Sequence, residues 1–234
     1  GFGLNNQRIT SVNTDKGIIQ TDRVIAAAGI WAPRVGKLAG VHIPLSPMQH
    51  IYAVTSSLNG LAEEIDEIRQ PFIRHQDEAM YFRQEGNGYG IGSYQHEPLL
   101  LYPEEILDYK EGPISPAERS FTPEHFDKAI SVTREVFPSI GDFDLVRKFN
   151  GIFSFTPDGF PILGESPIVK GFWSAQAVWV THAAGVGKAV AEWVIHGEPG
   201  IDLRECDIRR FHEYSENSNF VRARASQQYK EVYD

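Results

Sequence analysis

A polar turn of small residues separates an apolar, strand-like run from an amphipathic helix in AVWVTHAAGVGKAVAEWV, residues 177–194. A helix beginning near Ala184 presents unpaired backbone N–H groups and a partial positive charge at its start. Such a helix start suits an anion, or a ligand atom that becomes negative during a reaction. Capping of the helix by Thr181 or His182 is the alternative interpretation. Spacing alone leaves both interpretations open.

The histidines are further candidates for chemistry, because imidazole exchanges protons near neutral pH. His50 lies where the chain changes from an α/β texture to alternating strands, and clefts form at such junctions. A structural role is equally compatible with that position. His125, His196 and His212 stand in surface-like contexts, and no pair of histidines has the spacing of a metal motif. We therefore predict no metal site.

Two glycine patterns superficially resemble nucleotide-binding loops. GNGYGIG, residues 86–92, lies between two alternating strands and no helix follows it, which predicts a hairpin. HAAGVGKA departs from a phosphate loop, because His182 occupies the place of the first glycine and Ala189 that of Ser or Thr. The sequence therefore does not favour a kinase or another nucleoside triphosphatase.

The first part of the chain predicts an α/β layer. Residues 8–28 read as a hairpin around DKG, and the run Val24–Ala28 is typical of a strand buried on both faces. A short helix follows Gly29 and ends at Gly40. Its predicted buried face consists of Val35, Leu38 and Ala39.

From His50 onward the pattern predicts an antiparallel sheet. A helix follows over residues 122–137, with Thr122 as N-cap, Pro123 as first residue and Pro138 as stop. Its predicted buried face consists of Phe126, Ala129, Ile130, Thr133 and Phe137. FWSAQAVWV predicts a strand, and the helix after it ends at His196 with Gly197 as its cap. The polar tail, residues 201–234, predicts a connector rather than core.

Composition limits the classes of function. The 234 residues are 41% hydrophobic, enough for a sizeable core, and the net charge of −9 makes nucleic acid an unexpected partner. No apolar run approaches the roughly 20 residues of a membrane span, and no leader is recognisable. The single cysteine, Cys206, fits a reducing compartment, so we predict the cytoplasm of a bacterium or the mitochondrial matrix of a eukaryote. Since the chain opens inside a strand pattern, we expect a piece of a longer polypeptide.

Several separate blocks resemble one family. NGIFSFTPDGFPILGES, GFWSAQAVWVTHAAGVGKAVAEWV, DLRECDIRRF and YKEVYD are similar to the flavin half of the dimethylglycine oxidase family, which includes sarcosine and dimethylglycine dehydrogenases. AAGIWAPRVGKLAGVHIPLSPMQHIY and RHQDEAMYFRQEGNGYGIGSYQHEP match as well. The resemblance implies an α/β (α+β) fold like that of D-amino-acid oxidase. Residues 1–46 and 151–200 would belong to an FAD-binding domain, residues 47–150 to an antiparallel-sheet substrate domain, and residues 201–234 to a connector toward a folate-binding half.

The resemblance also implies site residues. Those expected against FAD are Ala28, Gly29, Tyr81, Val178, Trp179, Val180, Thr181 and His182. The helix start after them would then favour the negative charge of reduced flavin. His50 and Tyr81 would face the substrate, where a His50 of near-neutral pKa, coupled to Tyr81, takes or relays the amine proton. Arg74 would pair either with the substrate carboxylate or with Asp77.

The implied reaction moves a hydride from an N-methyl carbon of N,N-dimethylglycine to flavin N5, and the one-carbon unit passes to tetrahydrofolate. The substrate is a small N-methyl amino acid, and the other expected partner is the rest of the polypeptide. No GxGxxG segment or flavin-linked histidine of the family is matched here, so we expect this chain alone to be inactive and its retention of FAD to be open. The alternatives are a sarcosine-specific relative and a non-catalytic regulatory subunit, like that of pyruvate dehydrogenase phosphatase.

Overall fold

The computed structural model describes residues 1–108, 111 and 115–234 of the chain. These residues form two compact units, which are both assembled from separate chain segments. Unit one comprises Gly1–Pro47, Tyr102–Ile106 and Ser154–Gln228; unit two comprises the described residues of Met48–Leu101, Leu107–Phe153 and Tyr229–Asp234. None of the described helices has the length and apolar character that a transmembrane span requires.

Strands form sheets in both units. In chain order the described strands are β1 (Phe2–Asn5), β2 (Arg8–Thr14), β3 (Gly17–Gln20), β4 (Val24–Ala26), β5 (Ser46–Thr55), β6 (Ile73–His75), β7 (Met80–Glu85), β8 (Gly88–Ser93), β9 (Leu99–Leu100), β10 (Glu118–Arg119), β11 (Leu145–Phe155), β12 (Ile162–Glu165) and β13 (Phe172–Gln176). The described α-helices are α1 (Ala32–Leu38), α2 (Asp127–Val136), α3 (Ala183–His196) and α4 (Ser218–Lys230).

Unit one contains an antiparallel sheet in the order β1-β2-β3 and a second sheet in the order β12-β13-β4. Pairing of β2 with β3 confirms the hairpin around DKG. Its second strand is shorter than predicted, because β3 ends at Gln20 and β4 pairs in parallel with β13 instead. The prediction that Val24–Ala28 is buried on both faces is wrong. β4 ends at Ala26, and Ile25 is 51% exposed because β4 is an edge strand of the described sheet.

Helix α1 packs chiefly through small residues, and its predicted face is confirmed only in part: Ala39 is buried and Val35 packs against the same cluster. Ala32 and Gly36 are buried, and a side chain at Gly36 would meet Cγ1 of Ile43 at 2.7 Å, so the helix lies very close to the segment after it. Leu38 was predicted to be buried and is 59% exposed, because the contact face is one on which a large side chain would not fit. Gly40 ends the segment as predicted, with a φ of +70° that glycine adopts readily.

Helix α3 follows its predicted pattern. It was expected from about residue 184 to residue 196, and it runs from Ala183 to His196. Ala189 and Trp193 are buried on one face, where the Trp193 ring meets Trp173 edge to face at 5.8 Å. Gly197 caps the end as predicted: its φ is +86°, and its N–H donates to the carbonyl of Trp193 at 2.9 Å.

Unit two is built on an antiparallel sheet in the order β10-β11-β5-β8-β7-β6, and β9 also pairs with β5. This confirms the predicted antiparallel sheet, including the β7–β8 hairpin at GNG. One face of the sheet packs against α2 and nearby residues. The buried residues of this cluster are Ile51, Ala53, Met80, Phe82, Ile91, Phe126, Ala129 and Val132. The opposite face carries His50, Tyr52 and Tyr81, because side chains alternate along each strand.

Helix α2 differs from its prediction at the start. Pro123–His125 form a 3₁₀ turn before it, and Thr122 does not act as the predicted cap. The Thr122 hydroxyl instead accepts a hydrogen bond from Nδ2 of Asn150 at 3.1 Å. This contact with a residue distant in sequence takes the place of the predicted cap. Phe126, Ala129 and Thr133 of the predicted face are buried, and the helix ends before Pro138 as expected.

The tail is more than a connector, so that part of the prediction is wrong. Its buried hydrophobic residues are Ile208, Val221, Ala225 and Tyr229. The last three recur every four residues and therefore share a face of α4. Arg210 binds Asp158 in unit one, with Nε 2.7 Å from a carboxylate oxygen. The overall polarity of this segment concealed the apolar stripe.

Candidate functional site

His50 and Tyr81 stand on strands that flank β8 in the sheet of unit two. His50 lies on β5 and Tyr81 on β7, and Nε2 of the imidazole is 2.9 Å from Oη of the phenol. The sheet thus brings the two predicted catalytic residues into one hydrogen-bonded pair. A contact across an intervening strand requires that strand to leave room for a ring.

Alternating glycines on β8 provide that room. Gly88, Gly90 and Gly92 share one face of the strand because side chains alternate. A side chain at Gly92 would collide with the ring of Tyr81, and one at Gly90 with the hydroxyl end of Tyr52. The rings of neighbouring strands therefore lie over the bare face of β8, which allows Tyr81 to reach the imidazole.

The imidazole of His50 is enclosed by aromatic rings. It is 2% exposed, and its centroid lies 4.3 Å from that of Tyr94 and 4.8 Å from that of Phe153. Burial lowers the pKa of His50 to about 3, with a smaller contribution from nearby His96. The predicted near-neutral pKa is therefore wrong, because a buried imidazolium loses its hydration. His50 is neutral at neutral pH, so one ring nitrogen donates and the other accepts.

Sequence reasoning missed Tyr229, which contacts His50 directly, and His96, which contacts Tyr229. Oη of Tyr229 lies 3.2 Å from Nδ1 of His50 and 2.7 Å from Nε2 of His96. Nδ1 of His96 in turn lies 2.8 Å from the carbonyl oxygen of Glu97. These partners are 179 and 133 residues apart in the chain, so local spacing could not indicate them. The only local signal was the four-residue repeat that ends at Tyr229.

The phenols near the pair remain protonated. Burial raises the pKa of Tyr81, with further contributions from Tyr233 and Glu85. Burial also raises the pKa of Tyr52, whose hydroxyl donates to Oε1 of Glu85 at 2.6 Å. Each of these hydroxyls therefore has a proton to donate and lone pairs to accept with. Among the described residues no group of His, Cys, Asp or Glu side chains is placed to hold a metal ion.

Arg74 lies on β6, the strand next to that of Tyr81. Its guanidinium stacks over the ring of Tyr233 at 4.0 Å, and Nη2 donates to the carbonyl of Val232 at 3.3 Å. In the described part of the chain it forms no ion pair with Asp77, the predicted alternative partner. The side chain is exposed. Binding of a substrate carboxylate by Arg74 stays a prediction.

In unit one, Ala28 and Gly29 directly follow β4 and are fixed by the side chain of Gln176. Oε1 of Gln176 accepts from both backbone amides at 3.0 Å, and Nε2 donates to the carbonyl of Ala26 at 2.6 Å. Gly29 has a φ of +53°, and a Cβ there would meet no atom within 4 Å. The loop is therefore held in place while space beside it stays open, as close approach of a ligand requires.

The segment from Val178 to His182 leads into α3. The strand FWSAQAVWV is shorter than predicted, because Ala177 has a φ of +53° and ends β13 at Gln176. Val180 begins a 3₁₀ turn and is 92% exposed. No side chain in the described ranges caps the start of this turn or of α3, which argues against capping by Thr181 or His182. An exposed turn beside an uncapped helix start fits the edge of a planar, electron-accepting ring such as a flavin.

Comparison with known proteins gives consistent matches. Residues 2–193 match the family model described as FAD dependent oxidoreductase (DAO), and residues 196–234 match one described as FAD dependent oxidoreductase central domain. Mitochondrial sarcosine dehydrogenase of Mus musculus is 31% identical over 236 residues, covering 99% of this chain and 24% of that protein. Mitochondrial dimethylglycine dehydrogenase of Homo sapiens is 30% identical over 227 residues, covering 93% of this chain and 25% of that protein.

The chain thus spans about a quarter of the length of the curated relatives that it matches. Among solved structures, L-proline dehydrogenase from P. horikoshii is similar with a TM-score of 0.71 and 23% identity. That similarity covers 90% of this chain and 52% of the other. At this identity it shows a shared fold.

Proposed function

The chain belongs to the DAO family of FAD-dependent oxidoreductases, and from this membership we propose that the polypeptide containing it oxidises an N-methylated amino acid. N,N-dimethylglycine is the substrate that we propose first, and sarcosine the second, since dehydrogenases named for both are similar over nearly the whole chain. The predicted fold class, mixed α/β with antiparallel sheets like that of D-amino-acid oxidase, is confirmed.

When bound, FAD supplies the acceptor for the two electrons of a substrate C–H bond, and the residues of this chain that would hold it are Ala28, Gly29 and the segment Val178–His182. The 3₁₀ turn Val180–His182 runs into α3, and the N–H groups of His182 and Ala183 donate to the carbonyls of Trp179 and Val180. The partial positive charge therefore lies at the start of that turn, which no described side chain caps. That charge would favour the negative charge that FAD acquires on reduction, if the cofactor is held by this segment. The rigid loop held by Gln176 keeps the backbone of Ala28 and Gly29 in position beside it.

The observation that carries the proposal is the hydrogen bond between His50 and Tyr81. An amine loses hydride easily only when its nitrogen is neutral, so an ammonium substrate must first give up a proton. The Tyr81 hydroxyl is bound to a neutral imidazole and keeps lone pairs with which to accept a hydrogen bond from a substrate N–H. Tyr81 and His50 would therefore orient the amine and receive its proton, which is general base catalysis.

Flavin absorbance tests this function directly. The complete, FAD-loaded polypeptide is mixed with dimethylglycine or sarcosine without oxygen, and the flavin band is followed. We expect bleaching, with kcat/KM larger for dimethylglycine. A larger value for sarcosine would reassign the substrate. No bleaching by either amine, from protein shown to hold FAD, would refute the enzyme and leave a non-catalytic binding subunit.

Two variants separate chemistry from binding. His50→Ala is expected to slow flavin reduction at saturating substrate by about 10²-fold or more, in the range of general base catalysis. Tyr52→Phe, on the same strand but hydrogen-bonded to Glu85, keeps the His50–Tyr81 pair and serves as the control. An unchanged rate of flavin reduction in His50→Ala at every pH would contradict the assigned role.

A further inference from the structure

The hydrogen bonds around His50 continue beyond the pair that the proposed function uses. They run from Tyr81 through His50 and Tyr229 to His96, and they end at the backbone carbonyl of Glu97. Every heavy-atom distance along this series lies between 2.7 and 3.2 Å. Tyr229 is fully buried and His96 is 8% exposed, so the series leads from the enclosed imidazole toward the surface of unit two.

The carbonyl of Glu97 sets the direction of all these hydrogen bonds. A carbonyl oxygen only accepts, so Nδ1 of His96 must carry a proton. In a neutral His96, Nε2 is then an acceptor, and the Tyr229 hydroxyl donates to it. The oxygen of Tyr229 accepts from Nδ1–H of His50, which leaves Nε2 of His50 to accept from Tyr81. Both histidines are therefore Nδ1–H tautomers, and the oxygen of Tyr81 accepts no hydrogen bond within the series, so its lone pairs remain for an acceptor role.

We propose that Tyr229 and His96 form the exit route for a proton that Tyr81 takes from the substrate, a role that rests on the proposed amine oxidation. The Tyr81 hydroxyl gives its proton to Nε2 of His50 and regains one from the substrate ammonium. Nδ1 of His50 gives its proton to Tyr229, whose own proton passes to Nε2 of His96. One proton has then moved from the amine to His96, and no electrons have been exchanged.

This route explains how a deeply buried histidine serves as a base. His50 gains a proton on Nε2 as it loses one from Nδ1, so the ring remains neutral. The protein therefore avoids the free-energy cost of a buried charge without water or a counter-ion in the aromatic enclosure. His96 is better placed to hold the charge, because its Nδ1–H is bound to the carbonyl of Glu97. The Glu97 carboxylate adds a smaller favourable contribution, which its ion pair with Lys230 at 2.6 Å partly offsets. After His96 releases its Nε2 proton, its Nδ1–H stays bound to the carbonyl of Glu97. His50 still holds its proton on Nε2 at that point, so rotation of the imidazole or exchange with solvent must return it to the Nδ1–H tautomer before the next turnover.

The charged and titratable groups around His96 agree with that assignment. Burial lowers the pKa of His96, and nearby His125, whose ring is 5.9 Å away, lowers it further. The carbonyl and the carboxylate of Glu97 act in the opposite direction. His96 is therefore neutral and able to accept between turnovers. Tyr229, Tyr81 and Tyr94 face His50, and burial raises the pKa of each phenol, so none is an alternative base.

Nitrogen NMR on the 234-residue chain with ¹⁵N-labelled histidine tests the direction of the hydrogen bonds without flavin or substrate. The nitrogen shifts distinguish the two neutral tautomers of each ring. We expect His50 and His96 both as Nδ1–H tautomers at neutral pH. Finding either of them as the Nε2–H tautomer would overturn the proposal, and this measurement needs no variant to fold.

Removal of one hydroxyl tests whether Tyr229 imposes the tautomer. In Tyr229→Phe, Nδ1–H of His50 loses its acceptor, so the ring is expected to change to the Nε2–H tautomer and donate to Tyr81. Tyr94→Phe is the matched control, because Tyr94 contacts the same imidazole through its ring and should leave the tautomer unchanged. An unchanged tautomer in Tyr229→Phe would overturn the proposal.

Kinetics in the complete, FAD-loaded polypeptide test proton transfer itself. Tyr229→Phe is expected to slow flavin reduction by at least about tenfold at saturating dimethylglycine. In mixtures of H₂O and D₂O the wild-type rate should vary along a curve, because several protons move together, and the variant should lose that curvature. A linear wild-type dependence would refute the relay. Absence of flavin reduction in wild type would refute the proposed function instead. The nitrogen NMR measurement of the His50 and His96 tautomers would then still test the direction of the hydrogen bonds.

Discussion

Burial of His50 makes the stability of the chain depend on pH in a calculable way. The pKa of His50 is about 3 in the folded chain and about 6.5 when the side chain is in water. The unfolded chain therefore binds a proton at this residue between these pH values, and the folded chain does not. Stability is fully present above about pH 6.5 and is lost as the pH falls toward 3, because each pH unit in this window costs about 1.36 kcal/mol.

Between about pH 7 and pH 5 this amounts to a loss of about 2 kcal/mol from His50 alone. The free energy of unfolding is measured by urea titration at both pH values, in wild type and in His50→Gln, which cannot titrate. We expect the wild-type loss to exceed that of the variant by about 2 kcal/mol. His96 contributes to both, since burial lowers its pKa in the same direction.

Tyr94→Phe is the control, because it changes the packing around the same imidazole, with ring centroids 4.3 Å apart, and burial raises the pKa of this phenol, so it does not titrate between pH 5 and 7. Equal losses in wild type and His50→Gln would refute the reasoning. They would mean that the imidazole is hydrated in solution, and that the folded sheet admits water to the aromatic enclosure.

The remaining predictions concern packing. Gly92→Ala should displace the Tyr81 ring, at a cost of about 1 to 3 kcal/mol in the free energy of unfolding and with slower flavin reduction, whereas Gly151→Ala, with its nearest neighbour at 3.7 Å, should be tolerated. Gln176→Ala should lower the free energy of unfolding by about 1 to 3 kcal/mol in urea titrations, because it leaves the buried carbonyl of Ala26 and the part-buried amides of Ala28 and Gly29 without this partner. Val221→Ala should cost about 1 to 3 kcal/mol by the same assay if the tail is core, and no measurable cost would contradict that.

Elements with local signals could be predicted from the sequence. The apolar stripe of α3 and its glycine cap, and the glycine turn between β7 and β8, lie within short windows and were found with their bounds nearly right. Strand β4 shows where such signals fail. Its residues continue the apolar run of the hairpin, and only the tertiary pairing with β13, about 150 residues later, places them in another sheet. Periodicity carries no information about that partner.

The residues of the candidate site likewise differ in whether the sequence carried a signal for them. His50 and Tyr81 were indicated by the resemblance, and no spacing rule would have joined them. The glycines of β8 did carry a physical signal, although the sequence analysis took them only as evidence of a hairpin. A strand with glycine at every second position has one face without side chains, and the rings of neighbouring strands lie over that face. Tyr229 and His96 had no comparable signal, because their contact joins residues 133 positions apart.

The cost of this arrangement is itself an argument for function. Aromatic or aliphatic side chains could fill the space around His50 without desolvating polar groups, and replacing a buried polar network with apolar residues is often neutral or stabilising. The chain instead buries two imidazoles and Tyr229, and satisfies them with one series of hydrogen bonds whose direction a backbone carbonyl imposes. Partial satisfaction would be worse than an apolar core, so the arrangement is stable only as a whole. Departures from the simplest packing tend to mark functional sites, and here the hydrogen-bond series ends at Tyr81, whose oxygen accepts no hydrogen bond within the series and keeps its lone pairs for a ligand.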